Sequence, residues 1–186
     1  MRQNQQGEKV AAKLRIPRLT KPVTAVTAGA SALIVEAVER LSEILGEVDL
    51  SSPLFDFDFT DYYRREMGPN LVKQFFSFER LRPPEDLVWL KRRTSACERA
   101  YRKPDGGRRV NLDPGYWSDA KLVLASTKNY SHRIAIGRRI FAEVTLRYHQ
   151  GRLQWFEWTY PDYRTPLALD FFEKVRRKYL KQISQI

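Results

Sequence analysis

The sequence predicts an α+β fold: two strand-helix-strand units forming a ferredoxin-like core, extended by an antiparallel three-strand meander and a C-terminal helix. Three observations predict it. Two segments rich in β-branched or aromatic residues, 22–29 and 71–81, each precede a stretch with helical apolar spacing and then a turn signal. Glycine-containing turns at Gly137-Arg138 and His149-Gln150-Gly151 separate three alternating runs between 131 and 158. Thr165-Pro166 then opens an amphipathic pattern of Leu169, Phe172, Val175 and Tyr179.

Residues 1–20 lack periodicity and read as a basic flexible arm; 21–186 read as one domain. "PVTAVTAG" (22–29) suits a buried strand. Ser31 is the expected cap of a helix with Ile34, Val38, Leu41 and Leu45 on one face and Gly46 as its stop. "EVDLSS" extends, and Thr60 is expected to cap a short turn after "FDFDF" (55–59). In the second unit, Pro84, Glu85 and Asp86 open a helix whose apolar face holds Leu87, Leu90, Thr94, Cys97 and Tyr101. "RRVNL" (108–112) returns as a strand, "DPGY" (113–116) reads as a turn, and "SDAKLVLAST" (118–127) as a short helix capped by Ser118.

Composition narrows the function. The 33 Lys and Arg outnumber the 22 Asp and Glu, for a net charge of +11. Residues 1–22 hold six basic residues and one acid, and 170–186 hold five and two, so the excess gathers at the ends. The implied partners are nucleic acid or nucleotide, met through the arm and the last helix. No apolar run is long enough to span a bilayer, and the polar start lacks a signal peptide's apolar stretch, so no membrane and a cytoplasmic place are expected. One Cys and two His nearly exclude a zinc site of the Cys/His kind. No cofactor and no oligomeric state are legible.

"KPDGGRR" (103–109) begins with K-x-D-G-x-R, the pattern around a nucleotide-accepting lysine. The further lysine and glutamate motifs of such enzymes are missing from the 83 residues that follow, and Pro-Asp-Gly-Gly is turn chemistry, so Lys103 reads as a turn residue.

The meander carries the sharpest geometric expectation. A loop at Gly137-Arg138 places His132 opposite Glu143; a loop at Arg138-Arg139 places it opposite Thr145. The next turn sets Glu143 opposite Glu157 and Thr145 opposite Trp155. Ala142, Val144, Leu146, Phe156 and Trp158 form the core face, so His132, Glu143 and Glu157 project from the other as a candidate acid–base set, or as an ordinary cross-strand charge pair. Lys128 and Arg133 suit a phosphate or carboxylate, but Arg133 and His132, adjacent on a strand, point to opposite faces unless the strand is bulged. Asn111 and Asp113 join the ligand-binding candidates at their turn. Asp56 and Asp58, on one strand face, are the candidate magnesium ligands, or simply the solvent side of that strand. "WTYPDYR" (158–164) interleaves aromatic rings with Asp162 and Arg164, as a stacking surface or as a buried staple.

"FDFTDYYRREMG" (57–68), "SFERL" (77–81), "RVNLDPGY" (109–116), "KLVLASTKNYSHRI" (121–134), "AEVTLRY" (142–148) and "WTYPDYR" occur in this order from about residue 20 to the end. Together they resemble a bacterial family, the domain of unknown function numbered forty-four sixteen. Its members are sometimes labelled GTP-binding. The residues do not support that label: G-x-x-x-x-G-K-[ST] and N-K-x-D are both missing. The functional expectation is a binding module for an anionic ligand, nucleotide or RNA. The alternatives are a small hydrolase or transferase using His132 with Glu143 or Glu157, and a structural interaction domain; whether the chain is an enzyme stays open.

Overall fold

The computed structural model describes residues 16–186. Residues 1–15 of the expected arm lie outside them; residues 16–19 carry no regular structure, and Thr20 exchanges two backbone hydrogen bonds with Arg82, at 2.7 and 2.9 Å.

The first unit is β1 (Lys21–Ala28), α1 (Ser31–Leu45) and β2 (Val48–Ser51). All eight residues of β1 are buried, as a strand covered on both faces requires. Helix α1 buries Leu33, Ile34, Ala37, Leu41 and Leu45 and stops at Gly46, whose φ of 93° suits glycine. Ser31 is not its cap. Ala30 holds that position, without a side-chain hydrogen bond, and Ser31 is already helical. Two-residue β3 (Phe55–Asp56) follows; the Thr60 hydroxyl accepts from Tyr62 N at the start of a 3-10 turn, and α2 (Arg64–Met67) completes the connection. The second unit is β4 (Val72–Phe78), α3 (Leu87–Ala100) and β5 (Val110–Ser118). The 103–107 stretch between the last two is a turn: Lys103 N donates to Gly107 O and Gly106 N to Lys103 O. Lys103 is nonetheless anchored, because its ammonium donates to Glu66 O at 2.8 Å.

These strands lie in the order β2-β4-β1-β5, all antiparallel, which is the ferredoxin-like arrangement. The sheet continues through β6 (Lys121–Ser126), β8 (Ile140–His149) and β7 (Ile134–Gly137), with β9 (Arg152–Trp155) also on β8 and β3 on β4. Helices α1 and α3 pack against Val26, Ala28, Phe76, Phe78 and Leu112 on one face. Helix α4 (Pro166–Ile183), capped by Thr165, covers Val23, Ala25, Phe75, Trp117 and Leu146 on the other.

Two expectations fail here. The 118–127 stretch is strand β6, not a helix capped by Ser118; "LVLA" is a short apolar run, which periodicity alone cannot assign, and burial on both faces makes it a strand. The 113–116 stretch is the middle of β5, not a turn. Gly115 is required there because a Cβ would meet Val123 O at 2.3 Å.

Strand β6 also changes the meander. It pairs along the inner edge of β8, so β7 and β9 share the outer edge, one at each end. The first loop is Arg138-Arg139, both at positive φ, with Gly137 opposite Ile140. The second is Gln150-Gly151, one residue shorter than expected, so Leu146 rather than Thr145 faces Trp155. Strand β9 ends at Trp155, and Glu157, exposed, is not opposite Glu143. A bulge adds Thr145 between the pairs Leu122–Leu146 and Val123–Val144. Consequently Ala142 and Val144 pack toward α3, whereas Leu146 points to the α4 side, the side of Leu124, which pairs with Glu143. Glu143 is therefore buried, at 3% exposure, rather than projecting from an open face.

Candidate functional site

The site forms where the sheet comes apart. Strands β5 and β6 pair from Ser118–Lys121 to Gly115–Leu124 and no further. The next residue, Pro114, has no N–H to give. Two residues on, the Leu112 peptide faces the same open edge, and α3 side chains satisfy it: Leu112 N donates to Glu98 Oε1 at 2.7 Å, and Lys91 Nζ donates to Leu112 O at 2.9 Å. Meanwhile β5 keeps its pairing with β1 as far as Val110. The result is a polar pocket of about 80 Å³ between β5 and the end of β6.

Four expected ligand-binding residues, Asn111, Asp113, Lys128 and Arg133, line this pocket together with Glu143. Arg133 and His132 do converge, against expectation. They lie in a turn before β7 rather than on the strand, so alternation does not separate them. Arg133 Nε donates to Glu143 Oε2 at 2.7 Å, and His132 Nε2 lies 2.8 Å from the same oxygen. Arg133 also donates to Ser126 Oγ, Lys128 O and Tyr160 OH. Burial works against the Arg133 charge, and the Glu143 carboxylate overrides it, holding the guanidinium above its usual range. Asn111 is clamped between Arg108 Nη1, which donates to its Oδ1 at 2.7 Å, and Asp113 Oδ2, which accepts from its Nδ2 at 2.9 Å. Arg108 in turn grips Glu66 with two guanidinium hydrogen bonds, at 2.8 and 2.6 Å, and a third from its backbone N–H at 3.1 Å.

Outside lies a cleft of about 940 Å³. His132 stacks on Trp158 at 5.2 Å between ring centroids, and Trp158 on Phe156 at 4.8 Å. Tyr130, 67% exposed, and Tyr160, 46% exposed, form its aromatic rim. Glu157 lines the cleft too, but its side chain bonds neither His132 nor Glu143, so the expected three-member acid–base set reduces to the pair His132–Glu143. The 156–159 segment reaches this position because it plugs the gap between β7 and β9: Trp158 Nε1 donates to Val144 O and Thr159 Oγ1 to Thr145 O.

A third hollow, about 430 Å³, shares Lys128, Tyr160 and Asp113 with the others. Lys73 lies at its wall, 2.7 Å from Asp162 and 3.9 Å from Asp113, with its ammonium over the Phe57 and Tyr163 rings. On its rim Lys128 donates to Tyr62 OH, which draws the phenol below its usual pKa. "WTYPDYR" is thus divided: Asp162 and Tyr163 are buried, while Tyr160 faces the hollows. Asp56 and Asp58 sit apart, exposed beside a hollow of about 450 Å³. Asp58 falls beyond the end of β3, and among the described residues no group of three or more His, Cys, Asp or Glu side chains is placed to hold a metal ion.

The family described as Domain of unknown function (DUF4416) matches residues 19–179. The chain belongs to this family. No curated protein and no solved structure matches it. The DUF4416 match contains every residue of the pocket and the cleft. In this DUF4416 chain only Gly29 and Ala30 join β1 to α1, too short a link to wrap phosphates as a P-loop does. No helix among the described residues is long and apolar enough to cross a membrane.

Two cationic pocket residues, Lys91 and Arg108, were missed by sequence reasoning. Lys91 had a signal: with Leu87, Thr94 and Glu98 it falls at i, i+4, i+7 and i+11, on the packed side of α3. Arg108 had none, because its partner Glu66 is 42 residues away.

Proposed function

We propose that this protein is a binding module for an anionic ligand carrying a planar ring, a nucleotide or RNA. One observation carries the reading: Lys128, Arg133 and Tyr160 line both the cationic pocket and the aromatic cleft, so a single ligand can meet both. A phosphate wants charged N–H donors, and a base wants an aromatic face, worth about 1–3 kcal/mol per stacked ring. Helix α4 adds less than its composition promised. Arg176 lies over the Tyr148 ring, Lys178 pairs with Asp49 and Lys174 with Asp170, which leaves Arg177 and Lys181 exposed for long-range attraction.

The test is a titration with mononucleotides and short RNA at low salt, followed by tryptophan fluorescence. Binding is expected, and Tyr130→Ala, which removes an exposed ring, is expected to weaken it about tenfold. Absence of binding for every probe overturns the reading.

A second reading has one observation in its favour, the 2.8 Å contact of His132 with buried Glu143 at the cleft. With Nε2–H given to Glu143, the His132 Nδ1 is left as a base, as a hydrolase or transferase needs. Turnover of a bound nucleotide, lost in His132→Gln, distinguishes the two.

A further inference from the structure

Resting on the anion-binding reading, we infer that the pocket between β5 and β6 takes a single terminal phosphate, the dianionic monoester end of a nucleotide, in preference to a polyphosphate or an internal phosphodiester. Size is the first argument. At about 80 Å³ the pocket is far smaller than the 940 Å³ cleft and the 430 Å³ hollow beside it, which suits one compact phosphoryl group better than a row of them.

Charge is the second. The four cations on the wall fall into two classes. Arg108 and Arg133 are each held by a carboxylate, Glu66 and Glu143. Lys91 and Lys128 have no carboxylate within ion-pair distance among the described residues. Lys91 is only 7% exposed, yet of its three N–H donors one is used, on Leu112 O. Its acidic neighbour Glu98 is committed to Leu112 N, and burial pushes its carboxyl toward the neutral form. The wall also carries Asp113, whose Oδ2 accepts from Asn111 at 2.9 Å and lies 3.9 Å from Lys73, an ammonium that Asp162 holds at 2.7 Å. Against that one carboxylate stand Lys91 and Lys128, so the wall keeps an excess of positive charge; a buried ammonium with open donors favours an anion, and a dianion gains more from the excess than the single charge of a diester.

The geometry agrees with a ligand that ends in the pocket. Lys128, Arg133 and Tyr160 stand at its boundary with the cleft, so a terminal phosphate can enter while its base stacks outside.

The experiment is calorimetric titration of the full chain with adenosine monophosphate, its 3′,5′-cyclic form, adenosine triphosphate, and an RNA hexamer with or without a 5′-phosphate. The monophosphate, or the 5′-phosphorylated hexamer, is expected to bind at least about tenfold tighter than its cyclic, triphosphate or 5′-hydroxyl counterpart, and to weaken below about pH 6 as the dianion gains a proton. The better of these two ligands identifies the source of the phosphate. Lys91→Met is expected to abolish the preference and, because it strips the Leu112 carbonyl of its donor, also to lower the ligand-free unfolding midpoint. A purely structural lysine would lower the midpoint in the same way and keep the preference, so the preference is the deciding readout. Should that variant not fold, Lys128→Gln is expected to reduce the same preference from an exposed position. Equal or tighter binding of the cyclic or triphosphate ligand overturns the monoester assignment and leaves anion binding standing; no binding of any ligand removes both.

Discussion

Lys21 and Lys91 are both buried lysines, and they differ in what surrounds the amine. The Lys21 ammonium donates to Asp49 Oδ2 at 2.5 Å, Gln182 Oε1 at 2.8 Å and Phe78 O at 3.1 Å, one partner for each N–H. Burial pulls Lys21 below its usual range. Burial also pushes Asp49 up, but hydrogen bonds from Lys21 and Ser77 reverse that and hold its carboxyl low. This closed network joins β1, β2, β4 and α4. Lys91 has one partner and faces a cavity. A buried charge whose partners are complete fixes how elements meet; one whose partners are incomplete is available to something that arrives.

The largest expected effect tests the closed member. Asp49→Asn leaves the buried Lys21 ammonium without its carboxylate and is expected to destabilise the protein by about 3–5 kcal/mol in urea unfolding. A loss below about 1 kcal/mol would mean that the Phe78 carbonyl and Gln182 suffice for the Lys21 ammonium, and the contrast with Lys91 would fade. Next is the seam itself. Gly115→Ala puts a methyl 2.3 Å from the Val123 carbonyl oxygen, a backbone atom that cannot swing away, and is expected to cost about 1–3 kcal/mol and to weaken ligand binding as β5 and β6 spread. Unchanged stability would show that the seam is looser than its last pair suggests.

The smallest effect concerns pH. Arg108 hydrogen bonds hold the Glu66 carboxyl below its ordinary 4.5. A depressed carboxylate stabilises the fold at pH above that ordinary value and loses the contribution as pH falls through the depressed one. Hydrogen exchange at Tyr63–Gly68 is therefore expected to accelerate in that acid range before the sheet opens. In Arg108→Met the acceleration is expected to be gone.

The ferredoxin-like half and the C-terminal helix were readable because their helices carry their own punctuation. Gly46 ends α1, Pro84 opens the turn into α3, and Thr165 caps α4 with its hydroxyl. The second half was less readable. "DPGY" has the composition of a turn, yet it lies inside a strand because β1 pairs along its whole length and only the β6 side lacks a partner. Arg133 was separated from His132 by strand alternation, which does not apply in the turn that holds them. Lys128, Asn111 and Asp113 were found as residues, while the pocket they share was not.

By itself the sequence determined the order and kind of most elements, the stop of α1, the starts of α3 and α4, and where the two tight loops fall though not the length of the second, since apolar spacing and Gly or Pro conformations are properties of neighbouring residues. Tertiary structure alone decided that Glu143 is buried, that β5 and β6 part at Pro114, and that Lys91 arrives there from another element with open donors. The physical reason is that a backbone edge, or a charge, is satisfied or left wanting only by whichever distant segment packs beside it, and local sequence does not encode that neighbour.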